Sequence, residues 1–290
     1  MKNIFKKKNS LREFFQKART GKWSVGQFNF STLEQIQGIA LAASSFNTPV
    51  ICGTSQGEAD FFGIGEAVCI AKIIKEKYGV DLFLNLDHGK DLDTVKEAID
   101  AGYDMVHFDG SSLSFEENIK MTKEVVSYAK KRGVLVEGEV AKIGGSSVSS
   151  QKEAEKTTLT SLDKIVKFVR QTGVDCIALD VGNVHGIYPE MPRLYLERID
   201  ELLKRITCFI VLHGGSGIEE KRIKEAISRG VVKININTEI RVAWKENIKK
   251  FLIENPEEIV PYKILPSARE SVCEKVEEKI NIFNNVQNNS

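Results

Sequence analysis

Apolar and β-branched residues recur along this chain in short runs. Each run gives way to a polar or glycine-marked turn and then to a stretch of helical spacing. The runs are Ser24–Phe30, Pro49–Gly53, Leu82–Asp87, Met105–Asp109, Val134–Val140, Cys176–Val181, Phe209–His213 and Val232–Asn237, eight in all. Helical patterns begin near Thr32, Ala59, Leu92, Phe115, Ser161, Leu194, Glu219 and Thr238. Ile165, Phe168 and Val169, and then Leu196, Ile199, Leu202 and Leu203, have the spacing that lays one helix face on a core. A helix also precedes the first run: Leu11, Phe14, Phe15 and Ala18 share a face, and Gly21 ends it. After Phe251, Pro256 and Pro261 punctuate a tail. Ser267–Phe283 there reads as a last helix, with Val272, Val276, Ile280 and Phe283 packing outside the main body or on a second subunit. The polar Asn284–Ser290 is expected to be disordered.

Strands alternating with helices imply a parallel sheet, because a parallel crossover needs a helix-length connection. Eight such units between Ser24 and Ile253 fit the length of a (β/α)8 TIM barrel. An open doubly wound sheet would carry a glycine fingerprint after its first strand. The first turn here reads Asn29-Phe30-Ser31-Thr32 instead. The expected architecture is α/β: one domain over residues 1–290, with an N-terminal helix, a barrel at about 24–253 and a helical extension at 256–285.

Composition narrows the partners. The chain has 290 residues, 42% of them hydrophobic, enough for a large core. A formal net charge of +1 argues against a nucleic-acid partner, and Lys6-Lys7-Lys8 is only a short basic run near the start. No apolar stretch approaches the roughly 20 residues of a membrane span. The five scattered cysteines show no paired motif, which fits free thiols and a cytoplasmic location. Only four histidines occur, so their placement is informative.

A barrel enzyme collects its chemistry at the C-terminal ends of its strands. Here those ends carry Asn29, Ser55, Asp87-His88, Asp109-Gly110-Ser111, Glu137 and Glu139, Asn183 to Gly186, His213 to Gly217, and Asn235 to Thr238. His88, His185 and His213 sit on three of these ends. Three imidazoles at one rim, with coordination positions left over, match a catalytic zinc site. The alternative is that each ring bonds locally and they never meet. His107 lies inside the fourth run and reads as structural. Asp109-Gly110-Ser111 reads equally well as turn chemistry. Gly214, Ser216 and Thr238 fall where barrels usually hold a phosphate. Arg241, one turn into the last barrel helix, could meet a second anion or be an exposed helix charge.

These motifs, taken in order, resemble a known family. Asn85-Leu86-Asp87-His88-Gly89, Phe108-Asp109-Gly110-Ser111, Glu116-Glu117-Asn118, Val136-Glu137-Gly138-Glu139, Asn183-Val184-His185-Gly186, Leu212–Gly217 and Lys233–Thr238 resemble the class II, metal-dependent ketose-bisphosphate aldolases. The resemblance runs from about Leu11 to Glu270. It implies a cytoplasmic lyase of carbohydrate metabolism and glycolysis that cleaves fructose 1,6-bisphosphate. Tagatose bisphosphate or another phosphorylated keto-sugar is the alternative substrate, and a catalytically impaired sugar-phosphate binder is a third reading. It implies one Zn2+ per subunit on His88, His185 and His213, with Glu137 contacting the metal in an alternative position, and it leaves room for a monovalent cation. Asp87 would move the proton of the C4 hydroxyl and Asn235 would hold the enediolate. Gly186, Gly214, Ser216 and Thr238 would bind phosphate, with Asn29, Ser55 and Asn237 near the substrate and Arg241 at the distal phosphate. A homodimer or homotetramer is implied as well. One departure stands out: Gly144-Gly145 is followed by Ser146–Ser150 where the family usually carries acids. The polar loop from Lys142 to Thr160 reads as a lid, and Glu153 or Glu155 is expected to swing in as the base.

Overall fold

The computed structural model describes residues 10–145, 159–186 and 193–284. Eight parallel strands close into a barrel: β1 (Val25–Asn29), β2 (Val50–Ser55), β3 (Leu82–Gly89), β4 (Met105–Phe108), β5 (Leu135–Glu139), β7 (Cys176–Ala178), β9 (Phe209–Leu212) and β10 (Val231–Ile236). The order around the barrel is β1-β10-β9-β7-β5-β4-β3-β2, which is the TIM-barrel arrangement the alternation implied. Two residues at β6 (Gly144–Gly145) pair with β8 (Val184–His185) as a small separate sheet. The helices are α1 (Leu11–Gly21), α2 (Leu33–Ser45), α3 (Gln56–Phe62), α4 (Ile64–Tyr78), α5 (Leu92–Ala101), α6 (Phe115–Lys130), α7 (Leu162–Thr172), α8 (Glu197–Leu203), α9 (Glu220–Arg229), α10 (Thr238–Glu254) and α11 (Pro261–Asn284).

The period of two along a strand sorts the side chains into two cores. On β1 to β5 and β9 the even-numbered apolar residues, such as Phe28, Cys52, Leu84, Val106, Val136 and Ile210, pack under the helices. The odd-numbered Val25, Ile51, Phe83, Met105, Leu135 and Phe209 form an inner layer at the N-terminal end of the barrel. Helix α1 plugs that end with Leu11, Phe14 and Phe15, large side chains whose burial contributes about 1.5–3 kcal/mol each. Ser10 starts α1 through a capping box with Glu13. One layer further along the barrel axis the interior turns polar. Gln27, Asn85, His107, Glu137 and Lys233 are all fully buried there. So the bottom of the barrel supplies stability and the top is left for chemistry.

Several boundaries differ from the sequence reading. The second barrel helix begins at Gln56, not Ala59, because Ser55 and Glu58 form a capping box. Gly63, at φ +91°, then separates α3 from α4. The helix expected from Leu194 starts at Glu197. The sixth run is strand only as far as Ala178, and the third extends to Gly89. The last helix begins at Pro261, a proline being well suited to a first turn, and carries Pro266 within it. Helix α11 packs outside the barrel on α2 and α10. Phe283 stacks on Phe28, and the Ser24 amide donates to the Phe283 carbonyl. Gly38 permits the close α2–α11 approach, since a Cβ there would lie 2.7 Å from the Arg269 carbonyl oxygen. The expected disorder of 284–290 falls, beyond Asn284, outside the described residues. Asn284 itself ends α11 and reaches Thr48 with its side chain.

Candidate active site

Asp87 sits at the rim with each oxygen held by an amide. Asn29 Nδ2 donates to Oδ2 at 3.0 Å and Asn235 Nδ2 to Oδ1 at 3.1 Å. The support continues downward: Asn85 donates to Gln27, and Gln27 to Asn29. Burial works against the Asp87 charge, but His88, His107, His213 and Lys233 outweigh it and hold the carboxyl well below its ordinary range. A buried carboxylate kept ionised this way is available to accept a proton.

His88 follows at the end of β3 with φ +56°, a left-handed conformation uncommon for a residue with a side chain. The β3–β4 register is irregular between Leu86 and Gly89. His88 Nδ1 lies 3.2 Å from Asp109 Oδ2, and its Nε2 faces His213 Nδ1 at 3.1 Å. On the far side of His213, Nε2 lies 2.5 Å from Glu137 Oε1, while Glu137 Oε2 accepts from Lys233 Nζ at 2.7 Å. Each ring is thus oriented by a carboxylate on one nitrogen and presents the other to a common centre. This is the support that metal-ligating histidines usually have. His185 stands beside the group, its ring 5.0 Å from His88 and 5.7 Å from His213 and its Nε2 buried without a hydrogen bond, but its nitrogens are not among the ligand atoms that lie within 4.8 Å of one another.

The donor set fits a divalent cation. Two nitrogens bound to one tetrahedral zinc at about 2.0–2.1 Å lie about 3.4 Å apart, close to the His88–His213 spacing. Burial pushes His213 down to about 3 and His185 down to about 4, the latter also through neighbouring His88. Both rings are therefore neutral at pH 7, as ligation requires. Ligand atoms of Asp87, His88, His107 and His213 lie within 4.8 Å of one another, and so do those of His88, Asp109 and Glu139.

Two expectations change here. Glu137 does not stand free beside the metal position: both its oxygens are taken, by His213 and by the buried Lys233 ammonium, so it acts through His213. Glu139, two residues nearer the rim on the same strand face, has Oε2 3.7 Å from His88 Nδ1 and 3.5 Å from His107 Nε2, with no hydrogen bond to either. Burial, with Asp109 and Glu137 nearby, raises its carboxyl to about 8. His107 is part of the cluster rather than a remote structural residue. It lies 4.5 Å from His88 ring to ring, and its Nδ1 accepts the His88 amide proton. Asp109 serves both readings given to it, bonding Ser111 as a turn and His88 as a support.

Gly186, Gly214, Ser216, Asn237 and Thr238 line a small cavity with the three histidines, Asp87 and Asn235. The N-terminus of α10 opens onto it, a favourable place for an anion. Gly214 has φ +59°, and a Cβ there would lie 2.1 Å from the Val184 carbonyl oxygen, so no other residue fits. A larger cavity of about 830 Å³ adjoins it across His88 and His185, lined among others by Ser55, Glu58, Lys90, Asp109, Glu139 and Arg241. Arg241 is not a solvent-facing helix charge: its Nη2 donates to Glu58 Oε1 at 2.6 Å. Sequence reasoning gave no role to Glu58, Glu139 or Lys233 and set His107 aside as structural. Period-two alternation along β4, β5 and β10 could have flagged the last three as inward-facing. Glu153 and Glu155 lie outside the described residues.

The fold and this constellation define a TIM barrel with a candidate metal site at its rim. The family model for class II fructose-bisphosphate aldolase matches residues 9–288, and the chain belongs to that family. It is a class II aldolase, a carbon–carbon lyase. It is 38% identical over 281 residues to a 6-phospho-5-dehydro-2-deoxy-D-gluconate aldolase of Halalkalibacterium halodurans, covering 94% of this chain and 95% of the relative. It is 36% identical to a sulfofructosephosphate aldolase of Alkalicoccus urumqiensis (90% and 91% covered) and to a fructose-bisphosphate aldolase of Geobacillus stearothermophilus (94% and 96%). Among solved structures, the YdjI aldolase of Escherichia coli K12 superposes with a TM-score of 0.81 at 27% identity, covering 97% of this chain and 99% of that one.

Proposed function

We propose that this protein cleaves a ketose 1,6-bisphosphate reversibly, with fructose 1,6-bisphosphate the first candidate, to dihydroxyacetone phosphate and glyceraldehyde 3-phosphate. The observation that carries the reading is the orientation of His88 and His213 toward one centre beside Asp87, next to a glycine-lined cavity at a helix N-terminus. His88, His185 and His213 would hold the metal, zinc by its fit to imidazole donors. When bound, it supplies a Lewis acid to the substrate carbonyl and steadies the charge that develops on cleavage.

The chain's own groups do the rest. Gly186, Gly214, Ser216 and Thr238 bind the phosphate next to the ketone, with the start of α10 as a favourable dipole. That fixes the ketone near the histidines and sends C4 to C6 into the larger cavity. Asp87, ionised and held by Asn29 and Asn235, takes the C4 hydroxyl proton as the C3–C4 bond breaks. Asn235 keeps Oδ1 unpartnered for the substrate side. Asn237 and Ser55 face the carbons between the two phosphates, and Arg241 faces the distal one.

The proton on C3 of the released half is assigned to Glu153 or Glu155. Alanine at one of these positions should lower turnover at least about 100-fold, as loss of a general acid or base does. Full activity in both variants would remove that assignment. The names of the relatives favour a second substrate reading, a keto-acid phosphate or a sulfonated ketose phosphate. A cleavage panel holding fructose and tagatose 1,6-bisphosphates, 6-phospho-5-dehydro-2-deoxy-D-gluconate and sulfofructose phosphate, with and without chelator, decides among them. No cleavage of any of the four would contradict the proposal. The subunits are proposed to assemble as a homodimer or homotetramer.

A further inference from the structure

Glu58 occupies the place where a distal anion would be expected to bind. Its side chain is 8% exposed and fully engaged. Oε2 accepts from the Ser55 amide at 2.7 Å and from Asn29 Nδ2 at 2.9 Å; Oε1 accepts from Arg241 at 2.6 Å, with Asn237 Nδ2 at 3.5 Å. A helix cap needs only one of these oxygens, and a glutamine would serve it equally. The second oxygen, and the charge, are spent on Arg241. Both residues line the larger cavity, where Lys90 and Lys142 are balanced by Asp60 and Asp109. The cavity carries no surplus of positive charge among its described lining residues.

We propose that Glu58 is the specificity-setting residue of the distal subsite: it is a built-in counter-ion that a doubly charged distal phosphate must displace from Arg241. A neutral or singly charged terminus makes no such demand. The carboxylate therefore narrows the advantage of a bisphosphate over a monophosphate and favours substrates whose far end carries less charge. Because Asn29 donates its second N–H to Asp87, Glu58 also positions the proton-accepting group. That contribution affects every substrate equally. The inference rests on the ketose-phosphate reading of the two cavities.

The test is an affinity ratio, measured by calorimetry on the metal-loaded protein. The probes are a hexitol 1,6-bisphosphate and the matching hexitol 1-phosphate, which lack the ketone and cannot be cleaved. Glu58→Gln keeps an oxygen for the cap. It should raise the bisphosphate-to-monophosphate affinity ratio about ten-fold, the gain of one charge-assisted contact. Glu58→Ala should raise it similarly while lowering the melting temperature. Adding Arg241→Met to Glu58→Gln should cancel the gain. An unchanged or lower ratio, with monophosphate binding intact, overturns the role of Glu58 alone. Failure of the unsubstituted protein to bind either hexitol overturns it together with the ketose-phosphate reading.

Discussion

Asp87 and the histidines illustrate how position on a strand decides chemistry. Asp87 is the group whose loss should be felt most directly in the reaction. Asp87→Asn keeps its shape but not its charge. It should lower turnover about 10²–10⁴-fold, with bound metal retained, as steady-state kinetics and metal analysis would show. The four histidines make a second test. In the metal-free protein His213 and His185, lowered to about 3 and about 4, should stay neutral at pH 5.5. His88 and His107 are opposed by burial but raised by Asp87 and neighbouring carboxylates, so they should titrate above 6.5. Imidazole nitrogen shifts read both. The sign for stability follows: below pH 6.5 the unfolded chain takes up protons at 185 and 213 that the folded chain refuses. Their contribution is therefore lost as pH falls from 6.5 toward those folded values. Four rings titrating together near 6.5 would contradict the packing described.

At the scale of elements, the barrel interior is a stack of layers, and the middle one is ionic. Lys233 on β10 and Glu137 on β5 pair across it, fully buried. Lys233→Met leaves Glu137 charged without its ammonium partner, with only the His213 ring beside it. It should cost about 3–5 kcal/mol of unfolding free energy in denaturant titration. Adding Glu137→Gln should recover part of that loss but leave His213 poorly oriented and metal binding weakened. A Lys233→Met protein as stable as the original would show that the pair contributes nothing. The strands, most helices and the three rim histidines were legible from alternation and turn residues alone. Glu58 was not, because its role beyond the local cap depends on Asn29 and Arg241, 29 and 183 residues away, which meet it only when the barrel closes. Depth likewise hid the difference between Glu137, whose oxygens are held by His213 and Lys233, and Glu139, to which the sequence reading gave no role, since two inward residues on one strand look alike in sequence. The start of α3 was misplaced because Ser55 and Glu58 cap it ahead of its apolar pattern.

For the whole molecule, the apolar floor closed by α1 carries stability, and the rim brings together residues from all parts of the chain. Among the described residues no helix is long and apolar enough to cross a membrane. Family membership, the carboxylate-oriented histidines and the glycine-lined cavity all support one account: a metal-dependent aldolase acting on a phosphorylated ketose. The most direct test is cleavage of fructose 1,6-bisphosphate by the purified protein before and after thorough chelation, with metal content measured in parallel. The account predicts a single divalent ion per chain, loss of cleavage when it is removed and recovery when zinc is returned. Cleavage that survives complete removal of the metal would contradict it.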